Sequence, residues 1–178
     1  MRLHIGGEKI KEGWKILNIQ KMPGVDFIGD ITDLSQFDDE SLEEVYASHV
    51  LEHVGITKIK STFDGIYRVL KKGGKFYISV PNLDTLAQLF VKTSDVKTKQ
   101  DIMAMIYGGQ TDSYDFHYTG YWPTFLFAIL ENAKFKKYEQ VEFFNIFNDT
   151  SSLTAQTLNG PIPISLNVIA YKDYFSLL

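Results

Sequence analysis

The chain has 178 residues, 44% of them hydrophobic, enough for one domain with a substantial core. Its formal charge of -4, with lysines scattered rather than clustered, gives no electrostatic footprint for nucleic acid. Zero cysteines exclude disulfides and thiolate metal sites, and no apolar stretch reaches transmembrane length, so a cytoplasmic protein without a membrane span is expected.

Residues 2–5 form a strand candidate ending in Gly6-Gly7, where missing side chains let a ligand approach the backbone. Residues 14–19 are the next strand, yet residues 8–13 are too few for a crossover helix. Loop amides, with Lys9 and Lys11 as helpers, would then replace the usual helix N-terminus at an anionic or polar ligand. Lys21-Met22-Pro23-Gly24 is a turn and residues 25–28 a third strand, again with no room for a helix between. Two missing helices leave one sheet face bare, so the carboxyl-terminal half or a second copy in a homodimer must cover it.

Val45-Tyr46-Ala47-Ser48 reads as a strand buried on both faces. Apolar residues Ile56, Ile59, Phe63, Ile66, Tyr67 and Leu70 then recur at helical spacing, with Lys71 and Lys72 in the last turn and Gly73-Gly74 as the stop. Residues 76–80 form a second buried strand, which closes a right-handed βαβ unit. Further on, Leu83, Leu86, Leu89 and Phe90 mark a helix, residues 92–101 a polar connecting stretch, and residues 123–132 a helix with proline at its start. Residues 138–147 and 165–170 read as two last, antiparallel strands, separated by turn-rich residues 148–163. Aromatic residues make up 14% and lie mostly in the second half; without interleaved cations they suit a ring-rich core or interface rather than a base-stacking platform.

Between the buried strand and the helix, His49, Glu52 and His53 spell His-x-x-Glu-His, the spacing of inverted zinc peptidases. That chemistry needs a helix continuing through the motif and a third protein ligand, whereas Gly55 interrupts the helix at once.

Ala47 to Val54, followed by Arg-Val-Leu-Lys-Lys-Gly-Gly-Lys at 68–75 and Ile-Ser-Val-Pro at 78–81, resembles the fourth to fifth strands of class I S-adenosylmethionine-dependent methyltransferases, above all the type-11-like branch. The resemblance implies one Rossmann-like α/β domain over residues 1–178: a seven-stranded, mostly parallel sheet with reduced helices after the first two strands. It also implies S-adenosylmethionine as cofactor and S-adenosylhomocysteine as product. By this likeness Gly6, Gly7 and Glu8 hold the methionine part, with Glu8 standing where a glycine is usual and His4 where an acid is usual. Asn18 and Ile19 fall at the ribose, where an acid is usual, Asp30 and Ile31 fall at the adenine, and Ser48 and His49 at the cofactor edge. His53 and Tyr118 fall on the substrate side, and His49 and His117 are the candidate bases. The implied reaction is methyl transfer to a small-molecule or glycan-like acceptor, at oxygen by preference, and needs no metal because the sulfonium is already activated. Against it stands a binding or assembly protein that keeps the fold without catalysis, motivated by Glu8, Asn18 and the missing first helix.

Overall fold

In the computed structural model, which describes residues 1–157 and 160–173, strands β1 (Arg2–Ile5), β2 (Trp14–Asn18), β3 (Phe27–Ile28), β4 (Leu42–Ser48) and β5 (Leu70–Pro81) pair in parallel. Beyond them come β6 (Lys137–Val141), a separate hairpin of β7 (Thr154–Thr157) and β8 (Gly160–Pro163), and β9 (Ser165–Tyr171). β9 lies antiparallel between β5 and β6 and completes a seven-stranded sheet of order β3-β2-β1-β4-β5-β9-β6. The chain leaves β1 toward β2 and β3, then returns to β4 on the other side of β1. That reversal is the topological switch point, where strand carboxyl ends part and leave a crevice for a ligand.

One sheet face carries Leu3, Ile5, Val45, Ala47, Phe76, Ile78 and Val80, all buried. Helices α1 (Ile59–Val69) and α4 (Pro123–Asn132) bury Ile59, Phe63, Ile66, Leu126 and Leu130 in the same core. The opposite face has no helix after β1 or β2, as the short connections require. Rings cover it instead: Trp14, Tyr46 and Tyr77 pack against Phe144, Ile146 and Phe147, which follow β6. Tyr46 donates its hydroxyl hydrogen bond to Asp149, at 2.8 Å to the nearer oxygen, and Asn167 Nδ2 donates to Ser151 O at 2.8 Å. The carboxyl-terminal half therefore closes the bare face within one chain, and the packing reason for a homodimer is gone. Lys9 and Lys11 serve that cover by donating to Asn148 O and Ile146 O, both at 2.7 Å, rather than to a ligand loop.

Several sequence expectations need correction. α1 ends at Val69, and Leu70 is already extended and buried against Leu42. Lys71 to Gly74 are consequently a bulge in β5, where the register jumps from Leu42↔Leu70 to Glu44↔Lys75 and Gly73 takes a φ of 75°. The polar stretch 92–101 belongs partly to a helix, α3 (Val96–Tyr107), which packs on α2 (Leu83–Lys92) through Ile102, Met105 and Ile106. Its start is an N-cap: the Asp95 carboxylate accepts from Thr98 N at 2.7 Å. β6 stops at Val141 rather than Phe147, because residues 143–147 turn away to cover the sheet. The turn-rich stretch holds the β7–β8 hairpin, and its residues 158–159 lie outside the described ones.

Candidate functional site

A cavity of ≈ 670 Å³ opens at the carboxyl ends of β1, β2 and β4. Its wall includes Gly6, Glu8, Asn18, Ile19, Asp30, Ile31, His49, His53 and Tyr118, so nine of the expected site residues meet in one space. Gly6 is the tightest point. Its φ is 71°, its N–H donates to Leu17 O at 2.8 Å, and a Cβ there would stand 2.5 Å from Val50 Cγ2. Only glycine meets both conditions and still leaves a cradle beside Val50.

Gly7, Ser48 and His117 do not line the cavity. A Cβ on Gly7 would lie 2.5 Å from His4 Nδ1, so its smallness serves the buried His4 ring rather than a ligand. Ser48 shares the alternation of Tyr46 and turns to the ring-covered face, where its Oγ lies 3.1 Å from Thr150 Oγ1. His117 stands behind His53, their rings perpendicular at 4.7 Å.

Asn18 reaches the cavity while holding its floor together. Nδ2 donates to Gly7 O at 3.2 Å and Oδ1 accepts from Gln20 N at 2.9 Å, which fixes the glycine loop to the end of β2. Asp30 makes a local turn, its Oδ1 accepting from Thr32 N at 2.8 Å, and Ile31 anchors the next segment in the core at 5% exposure.

The His-x-x-Glu-His segment does not form the continuous helix an inverted zinc peptidase needs. His49 has a φ of 53°, and the rest of the motif is a single 3₁₀ turn, Leu51–His53. The two imidazoles consequently part. His49 Nε2 lies 2.9 Å from Ser165 Oγ; because Ser165 Oγ donates to Thr150 O at 3.0 Å, the imidazole Nε2–H is the donor and Nδ1 keeps its lone pair. His53 Nδ1 lies 3.1 Å from Phe116 O, and His117 Nδ1 lies 3.0 Å from Met105 O. Burial first, then the neighbouring His117 and His53 charges, lower the His49 pKa to about 4, with Asp149 opposing. Burial also lowers His117 and pushes the Glu52 carboxyl up to about 8.

Val50 and Tyr114 line the cavity as well, and sequence reasoning missed both. Val50 offered no chemical signal. Tyr114 belongs to the same loop as Tyr118, and its ring is half exposed at the cavity mouth, as aromatic side chains at binding surfaces often are.

A family model described as "Methyltransferase domain" matches residues 8–78, from just after the Gly6-Gly7 pair into β5. Among solved structures, a SAM-dependent methyltransferase from Archaeoglobus fulgidus is similar, with 18% identity, a TM-score of 0.60, and coverage of 96% of this chain and 85% of that one. Another SAM-dependent methyltransferase, from Methanosarcina mazei, has 16% identity and a TM-score of 0.55 over 96% of this chain and 91% of its own. Human N-acetylserotonin methyltransferase, solved with SAM, has 15% identity and a TM-score of 0.55 over 97% of this chain and 48% of its own. No curated protein matches the sequence. The sheet order and the crevice at its switch point are those of the class I S-adenosylmethionine-dependent methyltransferases. The methyltransferase-domain match over residues 8–78 falls on the first half of that same fold, the half that builds the crevice.

Proposed function

We propose that the chain methylates a hydroxyl oxygen of a small-molecule or glycan-like acceptor in the cytoplasm, with S-adenosylmethionine as donor and S-adenosylhomocysteine as product. The observation that carries this reading is the Gly6 cradle, a left-handed glycine closed by Val50 at the mouth of the switch-point cavity. A branched side chain would fill that space, so the backbone is kept bare where a ligand must come close. Around it, Asn18 and Ile19 offer the ribose side, Asp30 and Ile31 the adenine side, and Glu8 the edge of the glycine loop. When bound, the sulfonium supplies an activated methyl group with a neutral thioether as leaving group.

The chain's own part is to orient the acceptor and to take its proton. His53 and Tyr118 line the cavity as acceptor contacts. Of the two candidate bases, His49 lies on the wall and His117 does not, so His49 takes the role. Its Nε2–H is held by Ser165, which leaves Nδ1 to receive the hydroxyl proton as the new C–O bond forms. In-line positioning supplies most of the remaining acceleration.

The test is transfer of labelled methyl from S-adenosylmethionine to a panel of hydroxylated sugars, glycosides and phenols. Label in an ether product supports the reading, and His49→Gln should lower turnover by roughly a hundredfold while cofactor affinity stays nearly unchanged. Transfer to nitrogen or carbon acceptors alone would contradict the oxygen assignment. One observation favours the second reading, a binding or assembly protein: Asn18 replaces the usual acid and uses both amide atoms within the chain. Saturable cofactor binding with no transfer to any acceptor would decide for it.

A further inference from the structure

The His-x-x-Glu-His motif lacks a helix and a third ligand on its own, yet the fold brings one in from a distant loop. Glu52, His53 and His117 each offer a ligand atom, all within 4.8 Å of one another. We infer that these three residues form a binding site for a divalent transition-metal ion beside the cavity, behind the His53 edge of its wall.

The second observation is Glu52 itself. It is 1% exposed, and among the described residues neither carboxylate oxygen has a hydrogen-bond partner. Oε1 lies 3.3 Å from His49 Nδ1, but outside hydrogen-bond alignment. A buried carboxylate with both oxygens unsatisfied is costly, and a cation beside it removes that cost.

The imidazoles are set up in the manner of metal ligands. Each turns Nδ1 toward a backbone carbonyl, Phe116 O for His53 and Met105 O for His117, so Nδ1 carries the proton and Nε2 keeps the lone pair. The loop holding His117 is pinned to the motif, because Tyr118 N and Thr119 N both donate to Glu52 O, at 2.8 and 3.1 Å. Position therefore does not depend on the ion, as a preformed site requires.

Two imidazoles and one carboxylate without sulfur suit Zn²⁺, Fe²⁺ or Mn²⁺ and leave coordination positions for water or substrate. Of the three, His53 borders the cavity while Glu52 and His117 lie behind it, so the site adjoins the acceptor space through His53. On the methyl-transfer reading, which this role presupposes, the ion would take the acceptor oxygen as a ligand and favour acceptors with a metal-binding hydroxyl or phenol.

Co²⁺ titration of the apoprotein, followed by its visible d–d absorption, tests the site without any cofactor. One saturable equivalent is expected, reversed by EDTA. Removing a protein ligand should cost more than second-sphere changes, which cost about 10–100-fold, so His53→Gln, His117→Gln and Glu52→Gln should each weaken Co²⁺ by more than about a hundredfold. His49→Gln should keep it, which separates this triad from the two histidines of the sequence motif. Loss in His49→Gln with retention in His117→Gln would overturn the assignment. So would the absence of saturable Co²⁺ binding to the folded wild-type protein, which would leave Glu52 as a protonated core carboxyl beside His49. Should one histidine variant fail to fold, Glu52→Gln and a Co²⁺-induced rise in wild-type Tm decide the matter. A negative result here leaves cofactor binding intact, and a negative result there leaves Co²⁺ binding intact.

Discussion

His4 is a buried imidazole in β1, and its surroundings make it a measurable acid-sensitive weakness. The ring is 6% exposed, edge-on to Tyr46 at 5.0 Å and tilted over Phe147 at 4.2 Å, and Nδ1 has no hydrogen-bond partner among the described residues. Burial lowers its pKa from 6.5 to about 4, only partly offset by Asp149. As pH falls below 6.5 the unfolded chain binds a proton at this histidine that the folded chain refuses until about pH 4. Stability is therefore fully present above pH 6.5, is lost through that window, and levels off below it. One pKa unit is worth about 1.4 kcal/mol, so the loss between pH 7.5 and 4.5 is about 2.5 kcal/mol. His4→Phe keeps the ring packing and removes the proton site. Urea unfolding of both proteins at the two pH values isolates the term, because every other titrating group cancels in the difference. The variant should lose about 2.5 kcal/mol less than wild type on acidification. Parallel losses would refute the account of His4 as a buried, neutral imidazole.

Gly6→Ala should cost about 1–2 kcal/mol for its left-handed backbone, plus whatever Val50 must yield to the new methyl, read by urea unfolding. A Val50→Ala background should restore the second part and leave the first. Asn18→Asp removes the donor to Gly7 O and should lower stability by about 1 kcal/mol, while a charged acceptor at the ribose should tighten S-adenosylhomocysteine severalfold in calorimetry. Loss of both together would show Asn18 to be an anchor of the glycine loop alone.

What could be read in the sequence was whatever local chemistry decides. The buried run at 45–48, the helical stripe around Phe63 and the connections too short for helices gave the sheet and its thin side. Residues whose partners are close in sequence, such as Gly6 and Asn18, line one cavity at the ends of the strands read from the sequence. Errors arose where a long-range contact overrides a local signal. Gly73-Gly74 looks like a helix stop, but burial of Leu70 against Leu42 begins the strand earlier. Ser48 looked like a cofactor contact, yet strand alternation with Tyr46 turns it to the other face. His117 met His53 through a loop packing that no spacing rule encodes, and Glu52 lost its solvent for the same reason. The Asp95 cap and the Ile102, Met105, Ile106 stripe of α3 were legible, and charge in the preceding residues masked them.

The central claim is that the switch-point cavity holds the methyl donor, and calorimetric titration with S-adenosylmethionine and S-adenosylhomocysteine tests it most directly. The account predicts saturable binding of both, one site per chain, with Gly6→Val abolishing it in protein that still unfolds cooperatively. No binding of either form at millimolar concentration, or full affinity in Gly6→Val, would contradict it.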